Sequence, residues 1–165
     1  MDSNELVVQR FKDSIAVKEQ NINDGVLVSN VVLIANELTE VIKRGNKLLL
    51  CGNGGSASDA LHFAGEIVGR FQRDRSSWPA IVLNADVVTI TAIANDYGYD
   101  NVFARQIESQ ARTGDLFIGI STSGNSENIF RAAKVAKERG VLTAALLGKD
   151  GGKIAKEVNW PVIVR

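Results

Sequence analysis

His62 and Glu66 stand four residues apart in a stretch with helical spacing, so both side chains fall on one helix face. That arrangement suits a metal pair, an acid/base pair or a plain surface hydrogen bond, and Glu66 also precedes Arg70 by four residues, the spacing of a helical ion pair. Zinc takes three or four protein ligands drawn from nitrogen, sulfur and oxygen. His62 is the only histidine and Cys51 the only cysteine, so spacing by itself favours surface pairing. Directly before this helix, Cys51-Gly52-Asn53-Gly54-Gly55-Ser56-Ala57-Ser58-Asp59 follows the apolar run at 47–51. The glycines let the backbone turn sharply and approach a ligand, and the free N–H groups of the next helix N-terminus suit an anion. A phosphate cradle and a catalytic carboxylate can thus share one loop and one helix.

A second loop, Ser121-Thr122-Ser123-Gly124-Asn125-Ser126, follows the apolar run Leu116-Phe117-Ile118-Gly119-Ile120 and leads into another helix. Capping that helix takes one side chain. Four hydroxyls in six residues exceed that need, and together they offer the donors by which an uncharged site holds a phosphate monoester. Between the two loops, Asn95-Asp96-Tyr97-Gly98 ends a helical stretch. These residue types often only form turns, but here they can also meet sugar hydroxyls. Gly52, Gly54 and Ala57 have the G-x-G-x-x-A spacing of a dinucleotide site. The acidic partner that such a site wants about 20 residues on has only the late Asp86 as candidate, so sugar phosphate is the better reading. Cys51, at the end of a central strand, reads as core packing rather than as a nucleophile.

The elements that must position these residues follow a β-then-α rhythm. Strands are predicted at 47–51, 80–84, 115–120, 141–147 and 161–164, with helices at 57–72, 87–95, 101–112, 126–139 and 151–157. Two further helices are predicted at 3–20 and 24–44, separated by the turn signal at 21–25. Parallel strands need crossovers and both sheet faces must be covered, which gives one α/β domain over 1–165 with ligands beyond the carboxyl ends of the strands. The N-terminal pair either packs against another subunit or folds back on its own domain. Equal numbers of basic and acidic residues, 19 each, leave no net field for nucleic acid or an anionic membrane. No leader and no apolar run of membrane-spanning length is read in the sequence, and a cytoplasmic protein is expected.

Three blocks closely resemble the phosphoheptose isomerases of the sugar isomerase (SIS) domain family: Cys-Gly-Asn-Gly-Gly-Ser-Ala-Ser-Asp-Ala-Leu-His-Phe-Ala-Gly-Glu at 51–66, Ala-Ile-Ala-Asn-Asp-Tyr-Gly at 92–98 and Gly-Ile-Ser-Thr-Ser-Gly-Asn-Ser at 119–126. The likeness runs from the N-terminal helices through Gly-Lys-Asp-Gly-Gly-Lys at 148–153. It implies a three-layer α/β/α sandwich on a five-stranded parallel sheet, and homotetramers with active sites at subunit interfaces and the helical pair at 1–45 used in assembly. The implied reaction is isomerisation of D-sedoheptulose 7-phosphate to D-glycero-D-manno-heptose 7-phosphate through an enediol, on the route to ADP- or GDP-heptose and lipopolysaccharide core.

Carried onto this chain, the resemblance makes Asn53, Gly54, Gly55, Ser56, Glu66, Asn95, Asp96, Ser121, Thr122, Ser123 and Ser126 the substrate pocket. His62 and Glu66 would bind one zinc per subunit, and Glu66 would move the proton. The sequence departs from the family pattern at Leu61 and Gly65, and at Arg165, where family members continue into a helix bearing a Gln and a His. Those two would complete the metal set and add a second acid/base, so half of the catalytic apparatus is expected within these 165 residues. The competing readings are a non-catalytic SIS-domain regulator resembling the DnaA initiator-associating protein, and a sugar-phosphate-binding module.

Overall fold

Leu48, Leu49, Leu50 and Cys51 are all fully buried, and because a strand alternates its side chains they feed two separate cores. The computed structural model describes residues 2–165. In chain order its elements are α1 (Ser3–Ile22), α2 (Gly25–Lys43), β1 (Leu48–Gly52), α3 (Gly55–Val68), β2 (Ala80–Val82), α4 (Val87–Tyr97), α5 (Ala104–Gln110), β3 (Leu116–Ser121), α6 (Glu127–Glu138), β4 (Leu142–Gly148) and β5 (Trp160–Val164). Single 3-10 turns lie at Tyr99–Asn101 and Ile154–Lys156. All five strands are parallel, in the order β2-β1-β3-β4-β5.

On one face, Leu48, Leu50 and Ile118 pack with Leu38 and Val41 of α2 and Ala60 and Ala64 of α3. On the other, Leu49, Cys51 and Phe117 pack with Ile107 of α5 and Ile129 and Ala132 of α6. The result is the three-layer sandwich expected from the β-then-α rhythm. Burying each leucine stabilises the fold by roughly 1.5–3 kcal/mol.

The order of the sheet decides where a ligand can sit. β1 crosses through α3 to β2 on one side, while β3 pairs with the other side of β1, so the winding reverses between β1 and β3. Gly52 lies in register with Ile120, and the two polar loops therefore leave the carboxyl edge side by side at this switch point.

Several boundaries differ from the sequence reading for identifiable reasons. α3 begins at Gly55 and stops at Val68, where Gly69 donates its N–H to the Gly65 carbonyl at 2.8 Å. The helix predicted at 151–157 shrinks to one 3-10 turn, because Gly151 and Gly152 take φ of 81° and 51°, which a right-handed helix excludes. Contrary to the expectation of no such run, α2 is long and apolar enough, by length and composition, to cross a membrane. Here it lies along the sheet with Ile34, Leu38 and Val41 buried, and Asn30 Nδ2 donates to the Pro161 carbonyl at 2.7 Å.

The two N-terminal helices thus have different fates. α1 starts at a capping box in which Asp2 and Glu5 bond each other's backbone N–H at 2.8 and 2.9 Å. Yet α1 buries no residue, and its Val7, Phe11 and Ile15, four apart on one face, remain exposed.

Candidate functional site

The first loop is shaped by close approach. A Cβ on Gly52 would lie 2.2 Å from the Ser56 carbonyl oxygen, so only glycine lets β1 run into α3 this tightly. Asn84, just past β2, fastens the turn: its Oδ1 accepts from the Gly52 N–H at 3.1 Å and its Nδ2 donates to the Ala57 carbonyl at 3.3 Å. Ser56 is buried, whereas Gly54 and Gly55 are exposed at the mouth.

The second loop holds a compact group of hydroxyls. Ser121 Oγ is buried and lies 3.0 Å from Ser126 Oγ and 3.4 Å from Ser123 Oγ. Ser126 occupies the N-cap position of α6 but makes no side-chain cap hydrogen bond, so capping does not account for it. Thr122 is exposed at the loop crest. The loop rests on residues 148–154: Ile154 donates its N–H to the Gly124 carbonyl at 3.0 Å and Lys153 donates its N–H to Asn125 Oδ1 at 3.1 Å. At the start of α6, Glu127 pairs with Lys153 and Arg131, and their hydrogen bonds hold its carboxyl below the ordinary glutamate value.

Asn53 joins the two loops. Its Nδ2 donates to Asn128 Oδ1, and its Oδ1 accepts from Asn128 Nδ2 and from the Tyr99 hydroxyl, each at 3.0 Å. Asn128 and Tyr99 are functional candidates that the sequence reading missed. A signal for Asn128 did exist: it shares a helix face with Ala132 and Ala136, four and eight residues on, and an amide on that apolar stripe needs a partner.

On α3, His62 Nε2 and Glu66 Oε1 lie 3.3 Å apart, with side chains 80% and 37% exposed. Glu66 also borders an open cavity of about 600 Å³ walled by Phe63, Phe71 and Trp78. Arg75, whose Nη2 donates to the Glu66 carbonyl at 2.9 Å, stacks 4.0 Å over the Trp78 ring and closes that side. Nitrogen and carboxylate donors suit zinc, but two fall short of the three or four it takes. Among the described residues no group of three metal-ligating side chains comes together.

Asn95 and Asp96 are exposed and bond to each other, Nδ2 to Oδ1 at 2.8 Å, not to either loop. The fold therefore gathers Asn53, Ser56, Ser121, Ser123 and Ser126 at the switch point and leaves His62, Glu66, Asn95 and Asp96 facing outward. Burial pushes the Cys51 thiol well above its ordinary value, which ends its candidacy as a nucleophile.

Known proteins share this fold. The profile of the SIS domain matches residues 14–148. The phosphoheptose isomerase of Aneurinibacillus thermoaerophilus is 46% identical over 161 residues, 98% of this chain and 81% of that protein. That of Trichlorobacter lovleyi is 48% identical over 158 residues, 96% and 80% of the two chains. Among solved structures, the phosphoheptose isomerase of Neisseria gonorrhoeae superposes with a TM-score of 0.90 at 40% identity, covering 99% of this chain and 86% of that one. The Francisella tularensis enzyme gives 0.92 at 32% identity over 100% and 87%.

Proposed function

The chain belongs to the SIS domain family, and we propose that its two switch-point loops bind D-sedoheptulose 7-phosphate for conversion to D-glycero-D-manno-heptose 7-phosphate. It is a phosphosugar aldose-ketose isomerase of the phosphoheptose isomerase type. The observation that carries the site assignment is the hydroxyl cluster of Ser121, Ser123 and Ser126 at an α6 N-terminus that uses none of them as a side-chain cap. With Thr122 at the crest, this loop takes the phosphate. Asn53, Gly54, Gly55 and Ser56 line the sugar side.

Moving a carbonyl between C2 and C1 requires a proton to leave one carbon and reach the other through an enediol. Glu66 is the carboxylate assigned to that transfer, with typical gains of 10²–10⁴-fold for a positioned acid/base. Phosphate anchoring supplies positioning energy remote from the reacting carbons. Among the described residues, His62 and Glu66 would supply two donors toward a zinc ion, short of the three or four it takes.

Val7, Phe11 and Ile15 of α1 and Val28, Val31 and Val32 of α2 present exposed apolar area of the kind that marks protein contacts. We assign it to further copies of this chain in a homotetramer, which would also enclose the outward-facing Glu66, His62, Asn95 and Asp96 at subunit interfaces. A cytoplasmic role in nucleotide-activated heptose synthesis for surface glycans fits this activity. The regulator alternative is disfavoured by relatives at 46% and 48% identity that are named isomerases. Incubation with sedoheptulose 7-phosphate, followed by ¹³C NMR, tests the reading. Appearance of the aldose phosphate is expected, and binding without any interconversion would overturn it in favour of a sensor.

A further inference from the structure

We infer that Asn128 and Tyr99 lock the Asn53 side chain into one orientation, as a hydrogen-bond donor to the oxygen that gains charge in the enediolate; this rests on the isomerase reading above. The orientation can be derived from a single backbone group. The Ile129 N–H, which can only donate, bonds Asn128 Oδ1 at 2.9 Å. Asn128 must therefore turn its Nδ2 to Asn53, and that amine can only meet the Asn53 oxygen. The Tyr99 hydroxyl donates to the same oxygen.

Each amide oxygen has two lone pairs. Asn53 Oδ1 spends both on Asn128 and Tyr99, and Asn128 Oδ1 spends both on Ile129 and Asn53. Asn53 Nδ2 has two hydrogens and gives one to Asn128. Its only remaining valence is one N–H. Asn53 is thus unable to accept from a sugar hydroxyl and able only to donate. At the switch point it lies between the serine loop, where the phosphate sits, and α3, which carries Glu66. A donor there serves a carbonyl oxygen weakly and an enediolate oxygen strongly, the difference that accelerates the chemical step. Asn128, 3% exposed, is a positioning residue in this scheme.

The test uses Asn128→Asp combined with Tyr99→Phe. Aspartate keeps the acceptor for the Ile129 N–H and for Asn53 Nδ2 but has no N–H for Asn53 Oδ1; with the Tyr99 hydroxyl also gone, that oxygen loses both donors and the Asn53 side chain loses its fixed orientation. Relative to wild type, kcat for sedoheptulose 7-phosphate is expected to fall about 100-fold. KM should stay within about threefold and inorganic phosphate affinity within about twofold, since the phosphate loop is untouched. Asn53→Asp, a near-isosteric change that cannot donate, should give the same split if the first variant folds poorly. Unchanged kcat in either folded variant overturns the inference, as does a parallel loss of phosphate affinity, which would make the pair a mere loop brace. An inactive wild type would instead sink the isomerase reading itself, an outcome distinct from active wild type with unimpaired variants.

Discussion

Gly124 and Gly151 meet backbone to backbone: a Cβ on Gly124 would lie 2.2 Å from the Gly151 carbonyl carbon. The serine loop is therefore set by a segment 27 residues downstream, and its hydroxyls keep their geometry only while that contact holds. Gly124→Ala adds a methyl where backbone must move, at a φ of 67° that disfavours any side chain. A stability loss of about 1–3 kcal/mol is expected, with inorganic phosphate binding weakened about tenfold or more by ³¹P NMR titration. Gly140→Ala is the control. Its φ of 71° is similarly strained, but its Cβ would meet Thr113 far from the loop, so it should lower Tm and leave phosphate affinity alone.

Glu66→Gln tests the assigned base. Glutamine keeps the size of the side chain and removes its ability to take a proton, so turnover should fall by about 10²–10⁴-fold. Phosphate-ester affinity should hold, because no hydrogen bond ties Glu66 to the serine loop. Activity equal to wild type would remove Glu66 from the reaction. Loss of phosphate binding in step with turnover would place its role in loop structure instead.

Much of this site could be read from residue order. The β-then-α rhythm placed both loops at the carboxyl edge, and the excess of hydroxyls at 121–126 marked the loop in which Ser121, Ser123 and Ser126 cluster. What escaped was set by contacts distant in sequence. Asn53 to Asn128 spans 75 positions and Asn53 to Tyr99 spans 46, and no local periodicity encodes either. The extent of α3 was overestimated because Gly69 breaks a pattern that otherwise continues, and the 151–157 helix because the two φ values that forbid it are a property of the folded turn. α2 was ambiguous for a different reason. Its apolar residues surround the helix, so spacing could not say that one face meets its own sheet while Val28, Val31 and Val32 stay outside.

Acid stability should depend on Asp115, at the opposite edge of the sheet. Its side chain is 1% exposed and pairs with Lys47 Nζ at 2.6 Å; it also accepts from Asn46 Nδ2 and from the Lys47 and Arg112 N–H groups. Burial would raise its pKa, but the bonds from Lys47, Arg112 and Asn46 outweigh that and hold the carboxyl below the ordinary aspartate value. A carboxyl depressed by folding stabilises above its unfolded pKa, about 4, and that contribution is lost as pH falls through the folded value. Wild type should therefore lose stability on acidification below about pH 4, while Asp115→Asn should start lower at pH 7 and show a shallower acid slope. Asp115→Ala, which strands Lys47 and three other donors, should cost about 3–5 kcal/mol by urea titration at pH 7. Matching acid profiles for wild type and Asp115→Asn would exclude this carboxyl as the titrating group.

α1 provides a test of assembly that leaves the subunit fold intact. Phe11 is 68% exposed, and α1 as a whole buries no side chain in its own subunit. An isolated helix of 20 residues with this little support gains most of its stability from packing elsewhere. If copies of this chain supply that packing, Phe11→Glu places a charge in an apolar contact and should convert the proposed tetramer to smaller species by sedimentation velocity. The sheet and its two cores contain no α1 residue, so near-ultraviolet circular dichroism should change little. Turnover should fall with the tetramer, because Glu66 and His62 face outward and a single subunit leaves them open to water. A wild-type protein that sediments as a monomer, or a dissociated Phe11→Glu variant with full activity, would refute the placement of the active site at a subunit interface.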